Sequence, residues 1–193
     1  LPLEEKLVET IEKSTFAGNI IIQSFELDSL LRVIELQSEW PTVKLMTHDD
    51  FLSLEEGTFE AGGGGSGGGF GSGSGGGVGK CYNLDTYLEQ LKGIGVHGIG
   101  PDKRSIVPDP ENPPESSMLV AMAHKHGLYV HPYTFKSDVT GLDRVYGGNA
   151  AFEFARFFEL GVDGVFADFP DHAVFARELY NRSRLNGEHF KFV

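Results

Sequence analysis

The sequence predicts an α/β fold of parallel β/α repeats, and three observations carry that expectation. Short apolar runs rich in β-branched residues alternate with segments of helical period, no β-hairpin signal joins any two of those runs, and the helical segments stop at Gly or Pro. Parallel neighbours need crossovers, and helices supply them.

Taken in order, Leu3, Leu7, Val8 and Ile11 lie at helical spacing behind Pro2, with Glu4 and Glu5 in the first turn where the helix dipole favours acids. Gly18-Asn19 ends that helix, and Ile20-Ile21-Ile22-Gln23-Ser24-Phe25 reads as a strand buried on both faces. Leu27, Leu30, Leu31 and Ile34 make the next helix, Trp40-Pro41 stops it, and Thr42 to Met46 is the second strand. Asn83 caps a helix carrying Leu84, Tyr87, Leu88 and Leu91, which Gly93 terminates before a third strand, Ile94 to Gly100. Five prolines between Pro101 and Pro114 define a loop, and a helix through Leu119, Val120, Met122 and Ala123 runs to Gly127. Leu128 to Tyr133 is the fourth strand, Ala151 to Leu160 a helix, Val162 to Ala167 the fifth strand, and Asp171 to about Asn181 the last helix. Periodicity alone does not choose between an open sheet and part of a barrel, but in both the site forms at the C-terminal ends of the strands.

The 193 residues suffice for one domain of ordinary size. Sixteen Lys and Arg against 28 Asp and Glu give a net charge of −12 and argue against binding to nucleic acid, which needs cations to neutralise phosphates. The single cysteine, Cys81, makes neither an internal disulfide nor a four-ligand zinc site. No apolar run reaches the roughly 20 residues of a membrane span. The start at Leu1, directly before a helical pattern and without a signal peptide, reads as a processed or truncated product. Thirteen of the 26 glycines fall between Gly62 and Gly79, which reads as a flexible insert within one domain. The Gly71-x-Gly73-x-x-Gly76 pattern inside it arises from composition and lacks the strand and helix that a dinucleotide site requires.

Among polar candidates, His124 and His126 lie two apart on a helix, point to different faces and are expected to face solvent at its end. His48-Asp49 reads as a turn-forming cluster with Asp50 rather than a proton-transfer pair, and His97 and His131 as hydrogen-bonded histidines within strands. Lys103, Arg104 and Lys136 follow strand ends and offer positive charge to a phosphate. With Phe25, Tyr133 and Asp168 at the same ends, they suit a polyol phosphate rather than an apolar ligand.

Four segments together resemble the glycerophosphodiester phosphodiesterase family, closest to its bacterial periplasmic and plant-type branch. They are Leu7-Val8-Glu9-Thr10 leading to Ile22-Gln23-Ser24-Phe25-Glu26, then Gly98-Ile99-Gly100-Pro101-Asp102, then Ala123 through Thr134, and Gly161 through Asp171. The resemblance implies a partial TIM-type barrel, strands four to eight, with residues 1–193 forming the C-terminal part of one domain around the insert at 62–79. It implies hydrolysis of a glycerophosphodiester, a small-molecule substrate, to an alcohol and glycerol 3-phosphate. A divalent cation, calcium or magnesium, is implied as well. The family's His-Arg-Gly, Glu-x-Asp and related motifs on its first three strands hold that metal and supply the acid and base, and they do not occur in context in this sequence. No catalytic residue and no metal ligand is therefore expected in the chain, which by itself should not catalyse. Its substrate-binding residues are expected to be Phe25, Tyr133, Lys136 and Asp168. Ala167 stands where the family has Thr before that last Asp. The expected partner is the N-terminal half of the barrel or a second copy of the chain, with a non-catalytic module binding phosphate esters as the alternative.

Overall fold

The computed structural model describes residues 2–16, 18–37, 39–57, 59–60, 81–111, 118–138 and 140–186. The glycine-rich insert expected at 62–79 lies outside the described residues. The chain divides into two compact units: one runs through Gly100 and resumes over Met122–Tyr129, and the other takes Pro101–Ala121 and the residues from Val130 onward.

The first unit opens with α1 (Leu3–Glu12), β1 (Ile22–Ser24), α2 (Leu27–Leu36), β2 (Thr42–Met46) and α3 (His48–Glu55). Next come β3 (Phe59–Glu60), β4 (Cys81–Tyr82), α4 (Leu84–Gly93) and β5 (Gly98–Pro101), and, after an excursion into the second unit, the end of α5 (Leu119–Lys125) and the start of β6 (Tyr129–Val130). The sheet has the order β1-β2-β5-β6. Ile22 pairs with Thr42 and Ser24 with Lys44 in parallel register, and the His97 N–H donates to Thr42 O (3.0 Å) while the Tyr129 N–H donates to His97 O (3.0 Å). The expected α/β class with parallel repeats is thus present. Leu27, Leu30, Val43, Leu88, Leu91 and Ile99 are buried, drawn from both helices and strands, and that apolar burial is the main force holding the unit together. Asn83 caps α4 by accepting from the Thr86 N–H (3.0 Å), as its sequence position predicts. Gly127 ends α5 at φ +68°, a left-handed conformation that only glycine adopts freely.

Four differences from the sequence reading are physical. The strand at β1 is short and is not buried on both faces, since Ile21 is 46% exposed and Gln23 is exposed, consistent with its place at the sheet edge. His48-Asp49 is not a turn but the first turn of α3, fixed by a reciprocal capping box in which Thr47 accepts from the Asp50 N–H and Asp50 accepts from the Thr47 N–H. An antiparallel pair does exist: β3 and β4 meet with Phe59 opposite Tyr82 and Glu60 opposite Cys81. Finally, Val162 to Ala167 is not a regular strand. It runs beside 130–135 through single hydrogen bonds and one isolated bridge, Phe135 to Ala167.

The second unit holds a turn at Lys103–Ser105, another at Arg144–Tyr146, α6 (Ala150–Glu159) and α7 (Pro170–Leu185), which starts with Pro at its first position as helices favour. Its core is aromatic. Phe135 stacks on Phe154 (ring centroids 5.1 Å apart) and meets Phe157 edge-on (4.8 Å). Among the described residues no helix is long and apolar enough to cross a membrane.

Candidate functional site

The strand ends of the second unit are tied together by backbone bonds that fix where their side chains emerge. The Tyr133 N–H donates to Pro101 O (3.0 Å) and the Lys103 N–H to Tyr133 O (2.7 Å), so Asp102 and Tyr133 bridge in parallel. Two residues on, the Phe135 N–H donates to Phe166 O (2.9 Å) and the Asp168 N–H to Phe135 O (3.0 Å). Lys136 and Asp168 therefore each follow the Phe135–Ala167 bridge by one residue, and Tyr133 precedes it by two, opposite Asp102. Phe25 belongs to the first unit, where it is half-buried just past β1.

The basic residues at these ends separate into two kinds. Lys103, its side chain only 17% exposed, donates to Glu153 Oε1 at 2.6 Å, lies 3.9 Å from Asp143 and sits 5.8 Å from the centre of the Phe135 ring. Arg104 is forked onto Asp102, with Nη2 2.8 Å from Oδ2 and Nε 3.0 Å from Oδ1. Both of these charges are matched by neighbouring carboxylates. Lys136 is exposed and forms no ion pair among the described residues. Its loop is shaped by Asp138, which accepts from the Thr140 hydroxyl (2.7 Å) and the Gly141 N–H (2.8 Å); these bonds hold its carboxyl below the usual range. A Cβ at Gly141 would collide with Lys136 Cβ, so this position fixes how closely the loop folds over the lysine.

Glu153 is the residue that sequence reasoning missed. It is 1% exposed, burial pushes its carboxyl up against the opposing pull of Lys103, and its Oε2 has no hydrogen-bond partner among the described residues. Burial, with Glu153 and Asp143 adding to it, also pushes the Tyr146 hydroxyl up to about 12. These groups line a cavity of ≈ 280 Å³ with Lys103 and Arg104. A second cavity of ≈ 480 Å³ lies beside Ser137 at the start of α6, where Asn149 accepts from the Ala151 N–H, and reaches Asp171 and His172. His131 packs edge-on against Phe166 (6.1 Å), and burial lowers its basicity while Asp163 partly restores it.

In the first unit, Lys44 was also missed. It is 2% exposed on β2 and donates to Leu45 O (2.7 Å), and burial lowers its basicity despite Asp50 and Glu26. His97 lies one residue before β5 rather than within a strand, and accepts from the Thr42 N–H (3.3 Å). His126 departs from the expected solvent-facing role and pairs with Asp85 at 2.8 Å, with Lys125 on the same oxygen at 2.9 Å. Among the described residues no group of three or more His, Cys, Asp or Glu side chains is placed to hold a metal ion. The divalent cation that the resemblance implies thus finds no fitting ligand set there.

Residues 78–172 match the model of the glycerophosphoryl diester phosphodiesterase family. Over 175 residues the chain is 28% identical to a glycerophosphodiester phosphodiesterase of Bacillus subtilis, covering 88% of this chain and 42% of that protein. Over 181 residues it is 32% identical to one of Arabidopsis thaliana, covering 86% and 42%. A solved glycerophosphoryl diester phosphodiesterase structure from Silicibacter pomeroyi superposes with a TM-score of 0.55 at 15% identity, over 98% of this chain and 46% of that one. At that identity the superposition speaks for the fold, an α/β arrangement that is part of a TIM-type barrel. The chain spans less than half the length of each of these relatives.

Proposed function

Because the chain belongs to the glycerophosphodiester phosphodiesterase family, we propose that residues 1–193 are the C-terminal, substrate-binding part of one such domain, which acts on a glycerophosphodiester once the rest of the domain completes it. The observation that carries this reading is the division among the basic residues: Lys103 and Arg104 are matched by carboxylates, while Lys136 stands exposed one residue past the bridge that Asp168 also follows. In that role the Lys136 ammonium approaches the phosphate as a point charge. The Tyr133 ring packs on the glycerol carbons, and the Asp168 carboxylate accepts from a glycerol hydroxyl. The reaction adds water across one P–O bond, releasing the alcohol and leaving glycerol 3-phosphate. The general acid, the general base and the ligands of a calcium or magnesium ion belong, in this reading, to the motifs absent from the sequence, so these residues bind and orient substrate.

The test is an assay of the purified chain on glycerophosphocholine with calcium or magnesium, alone and co-expressed with the part of the Bacillus subtilis relative that this chain does not match. Release of glycerol 3-phosphate is expected only from the pair, and Lys136→Ala in the pair should raise KM at least tenfold. Metal-dependent release by the chain alone overturns the reading. Tight binding of substrate by the chain alone, with an inert pair, favours the non-catalytic phosphate-ester module instead.

A further inference from the structure

The cavity of ≈ 280 Å³ in the second unit is short of positive charge. In its lining Lys103 faces two carboxylates, Glu153 Oε1 at 2.6 Å and Asp143 Oδ2 at 3.9 Å, while Arg104 is already forked onto Asp102. One ammonium thus answers two acids, and the longer contact leaves Asp143 the less satisfied. Its side chain is 47% exposed and makes no hydrogen bond among the described residues. Tyr146 shares the lining. It is only 6% exposed, yet its hydroxyl makes no hydrogen bond among the described residues and, unlike Glu153 Oε2, is not sealed from solvent. Burial, then Glu153, then Asp143 hold that hydroxyl's proton on, so it lies within reach of both charges. Arg156 opposes them least and pairs with neither acid among the described residues. Phe157 and Val107 are buried and supply an apolar wall. The volume is several times a water molecule's share of the liquid, about 30 Å³, so one trapped water does not fill it. Unbonded acceptor oxygens, a surplus negative charge and an apolar wall with an aromatic ring are the complement of N–H donors on a positive centre with a short carbon stem.

We propose that this cavity binds a small aliphatic primary amine as its ammonium ion, which donates to the Asp143 carboxylate and the Tyr146 hydroxyl oxygen and lays its carbon stem on Phe157 and Val107. A hard metal ion is the poorer match, since it needs several oxygens at once and the Lys103 ammonium is already the neighbour of both carboxylates. None of these residues is among those assigned to substrate, Tyr133, Lys136 and Asp168, so the site stands whether or not that assignment does.

The experiment titrates the full ¹⁵N-labelled chain with ethylammonium chloride, with ethanol as the neutral match and sodium chloride as the match in ionic strength. Saturable shifts of the Asp143, Tyr146 and Glu153 amide signals are expected from ethylammonium, with a Kd on the order of millimolar for so small a ligand, and none from ethanol or sodium chloride. Asp143→Asn should weaken binding at least about tenfold and Tyr146→Phe about threefold, each with a thermal melt close to that of the parent chain. If Asp143→Asn fails to fold, Tyr146→Phe carries the test. No saturable shift overturns the proposal, since the cavity then holds only water. The same shifts from sodium chloride, or equal binding of ethanol, overturn it as well, because neither then requires an ammonium group. Ethylammonium binding that neither variant weakens also overturns it, the cation then sitting elsewhere.

Discussion

Replacing Lys103 with Met isolates the buried charge at the centre of the second unit. Met keeps most of the aliphatic stem against Phe135 but removes the ammonium 2.6 Å from Glu153, a carboxylate only 1% exposed. Removing one partner of such a pair leaves an uncompensated buried charge and costs about 3–5 kcal/mol. For a chain of this size that is a fall of roughly 6–20 °C in Tm. The loss depends on pH in a definite sense. Burial already holds Glu153 above its ordinary value of 4.5, so the folded chain binds this proton more tightly than the unfolded chain. Stability linked to the protonated carboxyl is complete below the unfolded value and is lost as pH rises through the folded one. Without Lys103 the folded value rises further, so the deficit of Lys103→Met should be smallest below about pH 4.5 and widen toward neutral pH. The double variant Lys103→Met with Glu153→Leu should recover most of it, because an apolar pair of similar volume is often neutral or better. Urea unfolding followed by circular dichroism, from pH 4 to pH 8, reads both effects. A loss under about 1 kcal/mol, a deficit that does not change with pH, or a double variant as weak as the single one would refute the reasoning.

Lys136→Ala in the isolated chain should change stability by less than about 0.5 kcal/mol, since the side chain is exposed, and a larger fall in a urea melt would give the residue a structural role. Gly141→Ala should cost about 1–3 kcal/mol by forcing the loop off Lys136, an effect absent if thermal melts of the two proteins coincide. Thr47→Ala, which removes one half of the α3 capping box, should cost about 1 kcal/mol, whereas Thr47→Ser should retain most of that stability. Shortening residues 62–79 to a brief Gly-Ser connector should leave Tm nearly unchanged, and a large drop would show that Phe70 or Val78 docks into the fold.

The α/β alternation was legible because each helix carries its own period: Leu27, Leu30 and Val33 are buried as one face, and Leu84, Leu88 and Leu91 as another. α3 escaped notice for a local reason. Its buried face is only Phe51 and Leu54, and its capping box uses Asp50 where the commoner signal is Glu or Gln. The run at 162–167 looks like a strand in composition, yet its bonding is irregular, with the consecutive Asp163 and Gly164 amides both donating to Val130 O before Phe166 donates to Pro132 O. Of the site, Tyr133, Lys136 and Asp168 could be placed at strand ends from sequence, because those ends follow from the alternation. The partner of Lys103 could not, as Glu153 lies fifty residues away on the inner face of a helix and reads as an ordinary surface acid. Lys44 likewise hides in a strand pattern that gives no sign of its burial.

The pairing of β3 with β4 has a consequence for how the protein can change. Phe59 is in register with Tyr82 and Glu60 with Cys81, so the chain departs and returns within one strand spacing. Whatever is spliced between those two strands begins and finishes at a single doorway, and its length pulls on neither α3 nor α4. Doubling such a loop costs only about 0.6 kcal/mol in closure entropy. The hairpin stem therefore works as a socket, at which sequence can be added, removed or exchanged for a whole folded module while α3 and α4 on either side of it are unchanged.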